Sequence, residues 1–282
     1  MRIVWITGAQ GLIGNQLVQS AGRLAPNCRA VPLARQDLDL TNFDAVRARF
    51  DRDAPELLIH CAALSNSVQC ERQPADAQRV NVDVTAFLAN LFVSGRMVFL
   101  STDLVFDGRR GNYVEEDTPA PIGVYARTKI EAEARVLAQP RHMVIRTSIN
   151  GGVSPARNRG FNEVLELAWK AGQITPLFRD EFRCPIPAAV TAQATWELAL
   201  SNATGLFHVA GAKRLSRLEI GELLARRHPE LHPRIQAQSL QDYTGPRRAP
   251  DCSLDCGKAQ RLLSFKLPGL AEWLDANPNE PF

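Results

Sequence analysis

Ile3-Val4-Trp5-Ile6-Thr7 runs straight into Gly8-Ala9-Gln10-Gly11-Leu12-Ile13-Gly14, and a helical pattern with Ile13, Leu17 and Val18 on one face follows as far as residue 24. The apolar run is too short for a helix and reads as a buried strand. The glycines, spaced GxxGxxG, permit positive φ in a tight turn and let the backbone approach a pyrophosphate. The helix behind them offers free N–H groups and the positive end of its dipole. A glycine triplet alone would also suit a structural turn. Between a strand and a helix it predicts a dinucleotide site containing Gly8, Gly11, Leu12, Ile13 and Gly14.

Outward from this loop, β-rich runs alternate with helical patterns. Strands are expected at 30–33, 57–61, 96–101 and 143–146, and helices at 42–50, 83–93 and 125–137, with Thr41 capping the first of these helices. Such alternation implies βαβ crossovers, hence an α/β fold with a Rossmann-type doubly wound parallel sheet. Right-handed crossovers put the strand C-termini on one edge, where open α/β sheets bind ligands. Beyond residue 147 the pattern loosens into helices at 158–171, 188–201 and 216–227, a strand at 206–210, and loops at Pro185, Pro187, Pro229, Pro233, Pro246 and Pro250. Leu218, Leu223 and Leu224 are core candidates in the third of these helices. The expected organisation is a dinucleotide-binding domain over 1–150, to which 188–210 return, and a smaller mixed substrate lobe from 151–187 and 211–282.

Composition excludes other classes. In 282 residues, 45% are hydrophobic and the net charge is only +3, which is unlike a disordered chain. Lys and Arg total 33 against 30 Asp and Glu, with no basic stripe for nucleic acid. No apolar run approaches the length of a membrane span, and the N-terminus is interrupted too early by glycine for a signal peptide. Cysteines 28, 61, 70, 184, 252 and 256 lack CxxC spacing, so reduced thiols in a cytoplasm are expected. His228 and His232 are four apart, but Pro229 and Pro233 break the helix that would align them, and no metal site is expected.

Two further patterns carry chemistry. Tyr125-Ala126-Arg127-Thr128-Lys129 sets a phenol and an amine one helical turn apart on one face. A free phenol has a pKa of about 10, and a neighbouring ammonium is expected to lower it toward the range useful for proton transfer. Ser101-Thr102-Asp103 ends the strand at 96–101 on the ligand edge, where a hydroxyl either binds a substrate carbonyl or caps a turn. At the end of the second strand, an acid would bind the ribose hydroxyls of NAD, yet the residues are Leu33-Ala34-Arg35. Arg35 is either a partner for the 2′-phosphate of NADP or a solvated surface arginine, so NADP is favoured only mildly over NAD.

With the glycine loop, the strand-end hydroxyl and the tyrosine–lysine pair in this order, the chain resembles an extended short-chain dehydrogenase/reductase, and within that superfamily the dTDP-4-dehydrorhamnose reductases. Cys61-Ala62-Ala63, Asn81, Ser101 to Gly108, Arg146-Thr147-Ser148 and Ser253-Leu254-Asp255 also match. The resemblance implies hydride transfer from a nicotinamide to the keto carbon of a nucleotide sugar. It makes Tyr125 the proton donor, Lys129 its electrostatic partner and the holder of the nicotinamide ribose, and Thr102 the group orienting the carbonyl. Asp103 is implied beside the sugar, Gly11, Leu12 and Ile13 at the pyrophosphate, Asp39 and Leu40 at the adenine, and Ala62, Ala63 and Leu64 at the nicotinamide. A homodimer is compatible with the resemblance. The chain departs from the family at Ile149, where a tryptophan usually meets the sugar, and at Leu104, usually tyrosine. Asn15 replaces a glutamate that binds magnesium in some members. Arg183, Arg247 and Arg248 are candidates for a nucleotide diphosphate, or ordinary surface arginines. Two other functions stay open: a sugar-nucleotide epimerase of the same superfamily, and a dinucleotide-binding regulatory subunit like that of methionine adenosyltransferase. Dehydratases usually carry Asp-Glu where this chain has Asp103-Leu104.

Overall fold

A computed structural model describes residues 1–282. The chain begins with β1 (Arg2–Thr7), α1 (Leu12–Leu24), β2 (Cys28–Leu33), α2 (Phe43–Asp53) and β3 (Leu57–His60). Asn42, not the expected Thr41, caps α2, its side chain accepting from the Ala45 N–H at 3.1 Å. Thr41 is instead drawn to Asp39, which accepts from its N–H at 2.9 Å and its hydroxyl at 2.8 Å.

The helix expected at 83–93 is the end of a longer helical stretch. It comprises α3 (Ser67–Arg72), capped by Asn66, then α4 (Pro74–Gln78), a π-turn over Arg79–Asp83, and α5 (Val84–Leu91). Its first half is polar and exposed apart from Cys70 and Ala77, so no apolar stripe announces it.

β4 (Arg96–Thr102), α6 (Val124–Leu137) and β5 (Met143–Thr147) complete the first half. Then come β6 (Asn150–Gly151), α7 (Phe161–Lys170), β7 (Ile174–Phe178), β8 (Phe182–Arg183), β9 (Ile186–Pro187), α8 (Ala188–Leu200) and β10 (Gly205–Val209). The last elements are β11 (Leu215–Ser216), α9 (Arg217–Arg227), β12 (Arg234–Gln238), α10 (Gly257–Gln260) and α11 (Leu270–Ala276).

Six strands in the order β10-β5-β4-β3-β1-β2, every neighbour parallel, form the central sheet. The strands are near-continuous apolar runs because both faces are covered. On one face Val4, Ile6, Ile59 and Val98 pack with Leu17 of α1 and Trp196 of α8. Trp196 Nε1 donates to the Leu17 carbonyl at 3.1 Å, which ties the two helices together. On the other face Trp5, Leu58 and Phe99 meet Val46, Leu88, Ala132 and Val136. Each such side chain contributes roughly 1.5–3 kcal/mol of burial.

The smaller half has its own core of Leu165, Trp169, Leu177, Ile220, Leu224, Leu270, Leu274 and Phe282. Leu224 is buried in it, while Leu218 and Leu223 sit partly buried at its edge. Ile220, which faces the same core, was not among the expected residues. Ala259 and Leu267 pack into the core of the large sheet rather than the small one. Within the expected lobe segment 211–282, the stretch around α10 therefore packs against β10 of the sheet, while α9 and α11 stay with the smaller core.

Candidate active site

β2 and β3 flank β1 on opposite sides, so the strand order reverses there, and a crevice opens at the C-terminal ends of the strands. The cleft measures about 560 Å³ and is lined at one end by Gly8 and Gly11 to Gly14, at the other by Thr102, Tyr125 and Lys129. Gly8 has φ +66°, and a Cβ there would stand 2.8 Å from the Ala62 nitrogen. A Cβ on Gly14 would collide with the Gly8 carbonyl. No side chain caps α1, so its first-turn N–H groups stay available to an anion.

Beneath this loop lies a buried relay. Thr85 Oγ1 donates to the Asn81 carbonyl at 2.7 Å, so it accepts from His60 Nε2, 3.2 Å away. His60 Nδ1 then accepts from Thr7 Oγ1 at 2.7 Å. Thr7 Oγ1 in turn accepts from the N–H groups of Cys61 and Ala62, at 3.2 and 3.3 Å. Burial first, and the Lys129 charge second, hold His60 down to about 3, so one neutral tautomer locks the end of β1 to the end of β3. Asn81, in the π-turn, pins the next residue of that loop. It accepts from the Leu64 N–H at 2.8 Å and donates to the Leu64 carbonyl at 3.1 Å and to Thr128 at 3.0 Å.

Beyond the end of β2, Arg35, Asp39 and Leu40 line the cleft. Both nearby acids are engaged: Asp37 accepts from the Ala34 N–H at 3.0 Å, and Asp39 is bound to Thr41. The Thr41 N–H and hydroxyl, with help from Arg35 and Arg79, hold Asp39 below the usual carboxylate range.

At the opposite end, Ala62, Ala63, Leu64, Thr102, Tyr125 and Lys129 share the wall. Lys129 is 2% exposed, and its Nζ donates to the Leu100 carbonyl at 2.7 Å while lying 3.8 Å from the centre of the Phe99 ring. Its other two protons are directed to no protein acceptor. Burial drives Lys129 down to about 7 against the opposing pull of Glu133. Tyr125 moves upward, through burial first and the Asp103 charge second. The expectation that Lys129 acidifies the phenol is therefore corrected: burial brings the amine, not the phenol, toward neutral pH, and the phenol stays protonated. A protonated phenol is the form a proton donor needs. Thr102 both lines the cleft and caps the turn Asp103–Val105, its Oγ1 accepting from the Leu104 N–H at 3.2 Å. Its donor contact to Asp103 is long, 3.3 Å, and is readily exchanged for a ligand oxygen.

Three expected substrate residues lie elsewhere. Asp103 is 4% exposed and is held behind the wall, accepting from Ser148 Oγ at 2.6 Å. Burial raises its pKa in spite of Arg183, 3.6 Å away. Arg183 is 2% exposed and bridges Asp103 to Glu181, 3.2 Å from its Nη2. Arg248 contacts the same glutamate at 2.5 Å, and Arg217 does so at 3.1 Å. Burial would raise Glu181, but Arg217, Arg248 and Arg183 together pull it to about 2. Arg183 and Arg248 are thus engaged with carboxylates that satisfy their charge, and neither lines the cleft. Ser148, Asn150 and Arg159, which do line it, were not expected there. Ser148 and Asn150 follow the end of β5, and the strand-end rule applied a fifth time would have marked them. Nothing local marks Arg159, whose place depends on how the lobe folds back.

The chain matches the RmlD substrate binding domain family over residues 1–277. It belongs to that family. A relative from Sinorhizobium fredii, dTDP-4-dehydrorhamnose reductase, is 30% identical, with 95% of this chain and 93% of that protein covered. Methionine adenosyltransferase 2 subunit beta of Pongo abelii is 28% identical, over 93% of this chain and 82% of its own. Among solved structures, dTDP-4-dehydrorhamnose reductase from Bacillus anthracis in complex with NADP superposes with a TM-score of 0.88 and 25% identity, covering 98% of each chain. The RmlD-family chain thus has the α/β architecture of Rossmann-like dehydrogenases, built on a six-stranded parallel central sheet.

Proposed function

We propose that this RmlD-family chain is an NAD(P)H-dependent oxidoreductase that reduces the keto group of a nucleotide-linked 4-keto sugar. The observation that carries the reading is one continuous cleft with the glycine loop at one end and Thr102, Tyr125 and Lys129 at the other. The uncapped start of α1 and the close-packed Gly8 and Gly14 suit a pyrophosphate there. Ala62, Ala63 and Leu64 would flank the nicotinamide, and the two unengaged protons of Lys129 would hold its ribose hydroxyls. Arg35 beside two engaged acids supports a 2′-phosphate and hence NADP. A reduced nicotinamide supplies the hydride.

The chain's own part is proton delivery and placement. Thr102 Oγ1 donates a hydrogen bond to the substrate carbonyl oxygen and fixes its direction. Tyr125 gives that oxygen its phenolic proton as negative charge develops, and the Lys129 ammonium steadies the phenolate left behind. In this reading residues 1–150 with 188–210 bind the dinucleotide, and residues from 151–187 and 211–282 shape the sugar pocket. Six unpaired cysteines fit a reducing, cytoplasmic setting. No helix is long and apolar enough to cross a membrane.

A regulatory role is the second reading, supported by the likeness to the methionine adenosyltransferase subunit. Absorbance loss from NADPH with a panel of 4-keto nucleotide sugars separates the two. Turnover supports the reductase, and tight dinucleotide binding without turnover on any sugar supports the regulator.

A further inference from the structure

Tyr125, Lys129 and Glu133 stand four residues apart on α6 and form one stripe against β4 and β5. Glu133 is only 3% exposed, an expensive place for a carboxylate. Arg146 of β5 meets it through Nε at 3.1 Å and Nη2 at 2.7 Å, and Ser101 Oγ of β4 donates to its Oε1. Arg146 is anchored from behind by His208, whose Nε2 lies 3.5 Å from Nη1. His208 Nδ1 faces the carbonyls of Tyr113 and Asp255 at 3.1 and 3.2 Å, so it carries the proton and Nε2 is the acceptor. Ser101 precedes Thr102, and Arg146 precedes Thr147 and Ser148 of the cleft wall. The carboxylate therefore joins the three elements that carry the chemistry, one turn below the amine.

We propose that Glu133 is a positioning residue for the reduction, holding Lys129 in its ammonium form and clamping the end of β4 to α6. A stability role alone would be served as well by an apolar contact in this layer, where Ala132 and Val136 already pack. The groups facing Lys129 are Glu133 and Tyr125 from its own helix, Cys61 and His60 from the end of β3, and the Phe99 ring from β4. His60 is neutral and burial pushes the Cys61 thiol up to about 12, so Glu133 is the anion of this set. Glu133 pulls the amine toward its charged form, against the burial that favours the neutral one.

The role rests on the reductase reading, but its test does not need substrate. The chain has five lysines, so carbon-13 labelling at Cε gives few signals, and Lys129→Arg assigns the one of interest. Glu133→Gln keeps the shape and an acceptor for Ser101. The expected result is a Lys129 midpoint lower by about one pH unit or more, with the alkaline limb of kcat moving by the same amount. Because Glu133→Gln strands Arg146, the double variant Glu133→Gln/Arg146→Met is measured beside it. A midpoint still lowered in the folded double variant supports the proposal. A midpoint unmoved in Glu133→Gln, or back at the wild-type value in the double variant, overturns it, since the glutamate would then serve only Arg146. Absence of wild-type turnover would strike the reductase reading alone, with the titration still deciding the part played by Glu133.

Discussion

Lys129 is held against the preference of its surroundings, and that tension is measurable. Its folded-state pKa of about 7 lies below its ordinary value, so near and below neutral pH the fold carries the cost of a buried ammonium. As pH rises from about 7 to about 10 the folded protein sheds this proton first, and the cost disappears. Lys129→Met should therefore abolish reduction yet stabilise the protein by on the order of a few kcal/mol in mild acid, the gain vanishing near pH 10. Denaturant melts across pH check this, and a loss of stability in mild acid would contradict it. At the other end of the cleft, Arg35→Ala should weaken NADPH by on the order of tenfold more than NADH. Equal weakening of both, in a binding titration, would return Arg35 to the solvated surface.

At the scale of the element, the loop and α1 act as one unit. Alanine is the better helix former by about 1 kcal/mol, so Gly14→Ala would stabilise α1 if propensity alone decided. Its Cβ would instead collide with the Gly8 carbonyl and push apart the turn that Gly11 closes through its N–H, 2.8 Å from Gly8 O. The expected outcome is a dinucleotide affinity lowered at least tenfold with far-UV circular dichroism unchanged; unchanged affinity would remove the loop from the site. This is the part of the molecule that sequence carries best, because its signals are local: β1 begins and α1 ends within a residue of the expected limits. The α2 cap was misplaced because Thr41 and Asn42 are both capable, and the choice fell to Asp39, which engages Thr41. The helices before α5 were missed because exposed polar turns bury little and leave no period.

Across the whole molecule, Glu181 joins the lobe to the sheet, receiving Arg217 from α9 and Arg248, and through Arg183 reaching Asp103 behind the cleft wall. With its pKa pulled from the ordinary 4.5 to about 2, Glu181 contributes stability that is present above pH 4.5 and fades as pH falls toward 2. Acid unfolding should be shallower for Glu181→Gln, and Arg183→Met should cost about 3–5 kcal/mol by leaving Asp103 and Glu181 buried and underpaired. Neither the hub nor the inward turn of Arg183 was legible beforehand. An arginine near a cleft and an arginine behind its wall look alike in sequence, and which one it is depends on contacts between residues far apart in the chain, such as Arg183 with Asp103 and Arg248 with Glu181. The order of glycine loop, strand-end hydroxyl and tyrosine–lysine pair needs no such knowledge, since each signal is local and the parallel sheet brings their ends together. The most direct test is NADPH consumption with a 4-keto nucleotide sugar by the wild type and by Tyr125→Phe. Turnover that falls by roughly two to four orders of magnitude in the variant, with dinucleotide affinity retained, is the predicted result. Equal turnover by both proteins would contradict it.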